Sequence, residues 1–328
     1  MIDSREISVV VQGPIARGAG REAVTSEVMA SIRQHLPQAQ LILSTWRGEN
    51  VSGLAPDELV FTDDPGAVVA NPDFPTRSNN VNRQLVSTSN GLKRASRKYA
   101  LKLRSDTPLA HAGFLGIDRT AARRHPRWRL LREPILLPKD LSLHPAVVPS
   151  LYHAHDCVQF GLTEDLRDLW DSPLAPEPET SHAFAGGARP PLVYNNVEGP
   201  CVRVSAEQYY ITAFLQRRGL EARLSYVCDC RAAQARKSLL FMANNFAFAE
   251  LDAIGVRIPR RILEAPMSRL SAESRAWDCT ARRLSHPFGA LLFLPLELAR
   301  IRAKWLHFWV RYELKPRLRA FRRKPAAA

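Results

Sequence analysis

The first hundred residues alternate between two hydrophobic patterns. "EISVVVQGPI" (6–15) is a continuous β-branched run stopped by Gly13-Pro14, which predicts a strand buried on both faces. "EAVTSEVMASIRQHL" (22–36) follows with Val24, Val28 and Ile32 at helical spacing, and ends before Pro37. "AQLILSTW" (39–46) and the shorter "DELVFTDDPG" (57–66) predict two more strands. "SNNVNRQLVSTSNGLKRA" (78–95) reads as a helix, with Val81, Leu85 and Leu92 on one face and Ser78 or Asn79 as its cap. "YALKL" (99–103) is the fourth strand. This order predicts an α/β fold of Rossmann type: a mostly parallel sheet with helices on both faces.

The middle is less regular. A strand is expected at Cys157–Gly161, followed by a helix from Thr163, with Thr163 as its cap and Glu164-Asp165 in its first turn. The Pro/Gly-rich stretch 171–192 reads as a mobile lid, and 205–219 as a helix capped by Ser205 and stopped by Gly219.

The segment "FGALLFLPLELARIRAKWLHFWVRYELKPRLRAFRRK" (288–324) is of different character. At 100° per residue, Leu291, Leu294, Leu298, Ile301, Trp305, Phe308, Trp309 and Tyr312 share one stripe, with Arg300, Lys304, His307 and Arg311 opposite. Pro295 starts or kinks this helix. Charge sharpens the contrast. The chain carries a net +14, and from Arg257 onward there are 17 Lys and Arg against 5 Asp and Glu, a net +12; the rest has 29 against 27, a net +2. A basic, aromatic-bearing amphipathic helix predicts contact with an anionic membrane surface through residues 291–324. The alternative is a terminal helix docked on the body with a solvated basic face. Nothing in the chain resembles a nucleic-acid module, so no nucleic-acid partner is expected.

The five cysteines are scattered and complete no zinc pattern, as suits reduced thiols. The N-terminus has no basic and apolar regions of a signal peptide, and no run reaches the ~18 apolar residues of a spanning helix. A cytoplasmic chain is expected.

Ligands of open α/β sheets bind outside the carboxyl ends of the strands. There the sequence puts Gln12-Gly13-Pro14, Ser44-Thr45-Trp46, Asp63-Asp64 and Arg104-Ser105-Asp106. Lys102 and Arg104 alternate with Leu101 and Leu103, so the cations share one side of the strand with Asp106 beyond them. Hydrogen-bonding groups, a tryptophan, carboxylates and cations on one edge suit a nucleotide diphosphate. Gln12, Thr45 and Asp64 are candidates for the nucleoside, with Arg83 and neighbouring Asn82 for the phosphates. "GPIARGAG" is not a P-loop, since no Gly-Lys-Ser/Thr follows.

"VVVQGPI", "SIRQHLPQAQLILSTW", "DDPG", "NVNRQLVSTSNGLKRASRKYALKLRSD" and "HDCVQFGLTEDLRDLW" follow one another in an order that resembles the WavE-type lipopolysaccharide-synthesis family, densest over 7–106 and absent from the tail. The resemblance implies a GT-A-like glycosyltransferase using a nucleotide-sugar donor and a lipid-linked or lipopolysaccharide-core acceptor, peripheral on the inner face of the cytoplasmic membrane. It divides the chain into a transferase domain, 1–256 (donor half 1–110, acceptor half 111–256), and a basic helical tail, 257–328. It also implies a divalent metal, Mg2+ or Mn2+, on an Asp-x-Asp triplet after the fourth strand. Here that triplet is Arg104-Ser105-Asp106, so its first aspartate is an arginine. Either Asp106 alone anchors the metal, or Arg104 and Lys102 supply part of its charge, or Asp106 binds sugar hydroxyls. If the acceptor hydroxyl attacks with inversion a base is needed: Asp156, Glu207 and the pair Glu164-Asp165 are candidates, with Asp156 and Glu207 first, as base or as acceptor binder. Two other readings compete: a sugar nucleotidyltransferase, which would want a lysine after the first strand, and a non-catalytic membrane-surface adaptor.

Overall fold

A computed structural model describes residues 2–18, 24–69, 78–119, 124–186, 190–192, 202–264, 276–284 and 286–323. The predicted series appears in order, β1 (Ile7–Gln12), α1 (Thr25–His35), β2 (Gln40–Trp46), β3 (Glu58–Thr62), α2 (Val81–Arg94) and β6 (Tyr99–Arg104), with a small ribbon of β4 (Val68–Val69) and β5 (Ser78–Asn79), absent from the sequence reading, between β3 and α2. There follow β7 (Ile135–Pro138), β8 (Val158–Leu162), α3 (Thr163–Trp170), α4 (Ala206–Arg217), α5 (Ala232–Asn245) and β9 (Phe246–Ala249). Two short turns, α6 (Leu251–Ile254) and α7 (Arg260–Leu263), precede α8 (Ala276–Leu284), α9 (Pro287–Trp309) and α10 (Lys315–Arg323).

The sheet runs β3-β2-β1-β6-β8-β7-β9. β3, β2, β1 and β6 are parallel, and β8 runs against both β6 and β7. The alternation of side chains divides the core. Val9, Val11, Leu101 and Leu103 pack with Val28 and Ile32 of α1, while Val10 and Ala100 pack with Val81, Leu85 and Leu92 of α2. The two helices therefore cover opposite faces, as expected of strands buried on both sides.

β7 and β9 escaped the sequence reading, because four-residue apolar runs are not distinguishable from helix or loop by period alone. Two capping expectations are corrected. Thr163 is the first residue of α3 rather than its cap, and its hydroxyl donates to Arg97 O at 2.6 Å. At α2 the cap position is Asn80, although the Asn79 side chain does accept from Val81 N at 3.0 Å. Ser205 caps α4 as expected, in a reciprocal arrangement with Gln208. Where described, the stretch read as a mobile lid is pinned: Asn82 exchanges bonds with Ala175 N (2.7 Å) and O (3.1 Å), and Asn79 Nδ2 donates to Ser181 Oγ at 3.1 Å.

The terminal helix also departs from expectation. It starts at Pro287, with Pro295 inside it. Leu294, Ile301 and Phe308 of the predicted stripe are buried against the body, and Trp305 Nε1 donates to Cys228 O at 3.1 Å. From Leu294 onward the docked face of α9 is thus the predicted stripe, whereas Leu291, its first member, faces outward. The outward face bears Phe288, Leu291, Leu292, Leu296 and Leu306, all more than half exposed. Side chains from 320 onward, including part of the basic cluster, lie outside the described residues. No described helix is long and apolar enough to cross a membrane. Among the described residues, no two cysteines are joined in a disulfide.

Candidate functional site

From β1 the chain turns outward to β2 and β3, then returns to β6 on the other side of β1. The strand order therefore reverses between β1 and β6, where open α/β sheets leave a crevice at the carboxyl ends. Register aligns those ends: Gln12 stands opposite Ser44 on one side and Arg104 on the other. A cleft of about 440 Å³ opens there, within the ordinary range of small-ligand sites.

Its floor is the turn after β1. Gly13 has φ +113°, a region that side chains other than glycine rarely adopt. Its N–H donates to Ser44 O at 3.1 Å, and Ser105 Oγ donates to Pro14 O at 2.6 Å. The turns after β1 and β6 are thereby tied together. One wall is the N-terminal half of α2. Ser87 Oγ donates to Gln12 Oε1 at 2.6 Å, and Arg83 Nε to Asp64 Oδ1 at 2.7 Å. Gln84, also on this wall, has a buried Oε1 without a partner among the described residues. α2 lies this close because Gly91 faces the sheet: a Cβ there would come within 2.4 Å of Val10 Cγ1.

The opposite side of the cleft holds the charges. Arg104 grips Asp106 through two bonds of 3.0 Å, from Nε to Oδ1 and from Nη2 to Oδ2, and Arg261 of α7 pairs with the same Oδ2. Burial alone would raise the Asp106 carboxyl, but the two guanidiniums outweigh it and hold it below the ordinary carboxylate value. Asp156 arrives from the other direction. Because β8 is antiparallel, its N-terminal end lies beside the C-terminal end of β6, with Leu103 opposite Val158. Lys102 Nζ lies 3.3 Å from Asp156 Oδ2 and also donates to Asp156 O, while resting 5.0 Å from the Trp170 ring. Burial disfavours the Asp156 carboxylate, yet Lys102, His155 and Arg104 more than offset it, so the carboxyl sits well below its usual range.

Of the residues singled out from the sequence, Gln12, Gly13, Pro14, Trp46, Asp64, Arg83, Arg104, Asp106 and Asp156 border this cleft. Four do not. Thr45 is fully buried, its hydroxyl without a partner among the described residues, and Asn82 is engaged with Ala175. Lys102 is enclosed behind Asp156, since its side of the strand faces α3 and α4 rather than solvent. Glu207 stands in the first turn of α4, its Oε2 3.9 Å from His153 Nε2. Glu164 and Asp165 serve structure: Asp165 accepts from Arg132 N and Glu133 N, both at 2.9 Å. Arg261 escaped the reading altogether. It belongs to the basic C-terminal third, and no local pattern separates one arginine there from its neighbours.

A divalent metal on Asp106 does not fit the residues present. Such a site needs carboxylate oxygens in excess of nearby cations, whereas Asp106 is one carboxylate between two guanidiniums. Among the described residues, the one close grouping of possible ligands is His155, Asp156 and Cys157. There His155 Nδ1 already accepts from Cys157 N at 3.2 Å, burial keeps the thiol protonated, and Asp156 is paired with Lys102.

Comparison with curated proteins returns no match. The model of one family does match, and over 7–316, so the likeness extends through most of the tail from which the motifs alone had excluded it. With an α/β sheet, a crevice at its switch point and a match over nearly its whole length, the chain belongs to the WavE lipopolysaccharide synthesis family.

Proposed function

We propose that the protein is a glycosyltransferase of GT-A type, moving a sugar from a nucleotide-sugar donor to a lipopolysaccharide-core or other surface-polysaccharide acceptor at the cytoplasmic face of the membrane. The observation that carries this reading is the cleft between the ends of β1 and β6, where Arg83, Arg104 and Arg261 line one cavity with Trp46 and the polar turn at Gln12. Cations suit a diphosphate, and an indole with hydrogen-bonding groups suits a nucleoside.

In transfer, the bond between the anomeric carbon and the phosphate oxygen breaks, and its electron pair leaves with that oxygen. An acceptor hydroxyl oxygen bonds to the anomeric carbon and gives up its proton. Asp156 borders the cleft and Glu207 does not, so Asp156 is the carboxylate to receive it. Paired with Lys102, it is ionised and able to take up that proton. The outward apolar face of α9, with Arg302, Arg311, Lys315 and Arg317 also exposed along the helix, supports a peripheral position on an anionic bilayer.

Calorimetric titration with UDP, GDP and CMP, each with Mn2+ and with EDTA, tests the donor reading. Binding of one nucleotide in at least one condition is expected. Silence from all three with a folded protein overturns it in favour of a membrane-surface adaptor.

A further inference from the structure

Two guanidiniums from distant parts of the chain converge on Asp106. Arg104 closes β6, and Arg261 belongs to the short turn α7, 155 residues beyond Asp106. Both border the cleft, with Ser105 between Arg104 and Asp106 at its floor. Asp106 itself is only 5% exposed, so it does not meet the ligand broadly; it holds the two cations together. Arg104 spends Nε and Nη2 on it in a planar fork, and a guanidinium carries five N–H donors in all. Arg104 therefore has donors beyond the two that Asp106 occupies, and two guanidiniums share the one carboxylate. A metal site needs the reverse balance.

We propose that Arg104 and Arg261, gathered by Asp106, are the diphosphate-binding site of the donor cleft, and that they take over the part of a divalent metal in holding the donor and its departing nucleoside diphosphate. This rests on the donor reading above and assigns the phosphates to particular side chains. When the bond from the anomeric carbon breaks, the electron pair settles on a phosphate oxygen beside two permanent cations. Guanidiniums stay protonated throughout, so they accept that charge without any proton changing hands. Asp106 acts as a positioning residue: it fixes both forks before the ligand arrives, which lowers the ordering cost of binding.

The test titrates UDP and GDP into the full chain with EDTA and with Mn2+, in wild type and in Arg261→Gln, Arg104→Gln and Asp106→Asn. The expected result is equal affinity with and without Mn2+. Each arginine variant should lose at least tenfold in nucleoside diphosphate affinity, with much less effect on the free nucleoside. Arg261 is half-exposed, so its variant should melt with the wild type, and Arg261→Lys should recover part of the loss. Nucleotide binding that requires Mn2+, or Mn2+ binding alone that disappears in Asp106→Asn, overturns the proposal while leaving the donor reading intact. Unchanged diphosphate affinity in both arginine variants also overturns it. Absence of nucleotide binding under every condition removes the donor reading and this assignment with it.

Discussion

Lys102 of β6 and Asp156, just before the antiparallel β8, form an ion pair of 3.3 Å, with their side chains 0% and 2% exposed. A charge pair this far from solvent is not a surface ornament. It places a carboxylate at the cleft and keeps it ionised there.

Breaking the pair on one side should be costly. Lys102→Met leaves Asp156 buried without its partner and should destabilise by about 3–5 kcal/mol. The double variant Lys102→Met with Asp156→Leu, which removes both charges, should be closer to wild type. Urea unfolding measures both. A single variant within about 1 kcal/mol of wild type would show that the pair contributes little to stability.

Acid should weaken the fold in two stages. His144 and His155 are buried, and burial pushes them down from 6.5 to about 3 and about 4. The unfolded chain then binds more protons than the folded one below pH 6.5, so stability falls as pH drops through that window, by about 1.4 kcal/mol per pH unit for each histidine. Asp106 and Asp156, held below the ordinary carboxylate value, extend the loss below about pH 4. Asp140 and Asp165, raised by burial, act in the opposite sense over the carboxylate range alone. Chemical unfolding at intervals between pH 7.5 and 4.5 checks the first stage. His144→Asn should flatten the slope; a slope unchanged in that variant would remove His144 from the explanation.

Gly91 sets how closely α2 approaches the sheet, and hence where Arg83 and Ser87 stand. Gly91→Val should cost about 1–3 kcal/mol through overpacking against Val10 and Ser44. It should also weaken nucleotide affinity, because the Ser87–Gln12 bond of 2.6 Å depends on that approach. Thermal melts and titration together test this. A stable variant with normal affinity would mean the helix can shift without consequence.

Deleting the chain from Leu291 onward would strip Leu294, Ile301 and Phe308 from the core, so truncation is a poor probe of membrane contact. Leu291→Glu with Leu292→Glu alters two residues that are 73% and 68% exposed and leaves the docked face untouched. Wild type should sediment with anionic vesicles, and the double variant should lose most of that binding with its melting temperature preserved. Equal sedimentation of the two proteins would place lipid contact elsewhere on the surface.

Much of the first 110 residues was legible because long buried strands announce themselves. "VVVQ", "LILSTW" and "YALKL" carry enough β-branched and apolar residues to be recognised singly, and the ends of parallel strands separated by helices fall on one edge by topology alone. That is why Gln12, Trp46, Arg104 and Asp106 were found together. The terminal helix shows where such reading stops. Its period marks a stripe of which Leu294, Ile301 and Phe308 are buried and Leu291 is not, but apolar residues bury equally well against protein or lipid, and periodicity carries no record of which.

The amino-acid sequence by itself determined the order of strands and helices in the first hundred residues, the two-faced burial of the central strands and the edge on which polar groups gather, since each depends on residues near one another in the chain. Only the tertiary structure decided that β8 runs antiparallel and so delivers Asp156 to Lys102, and that α7 folds back to bring Arg261 onto Asp106. These contacts join residues 54 and 155 positions apart. Their formation depends on how the whole chain closes around its core, and a local pattern of hydrophobic and polar positions holds no information about that closure.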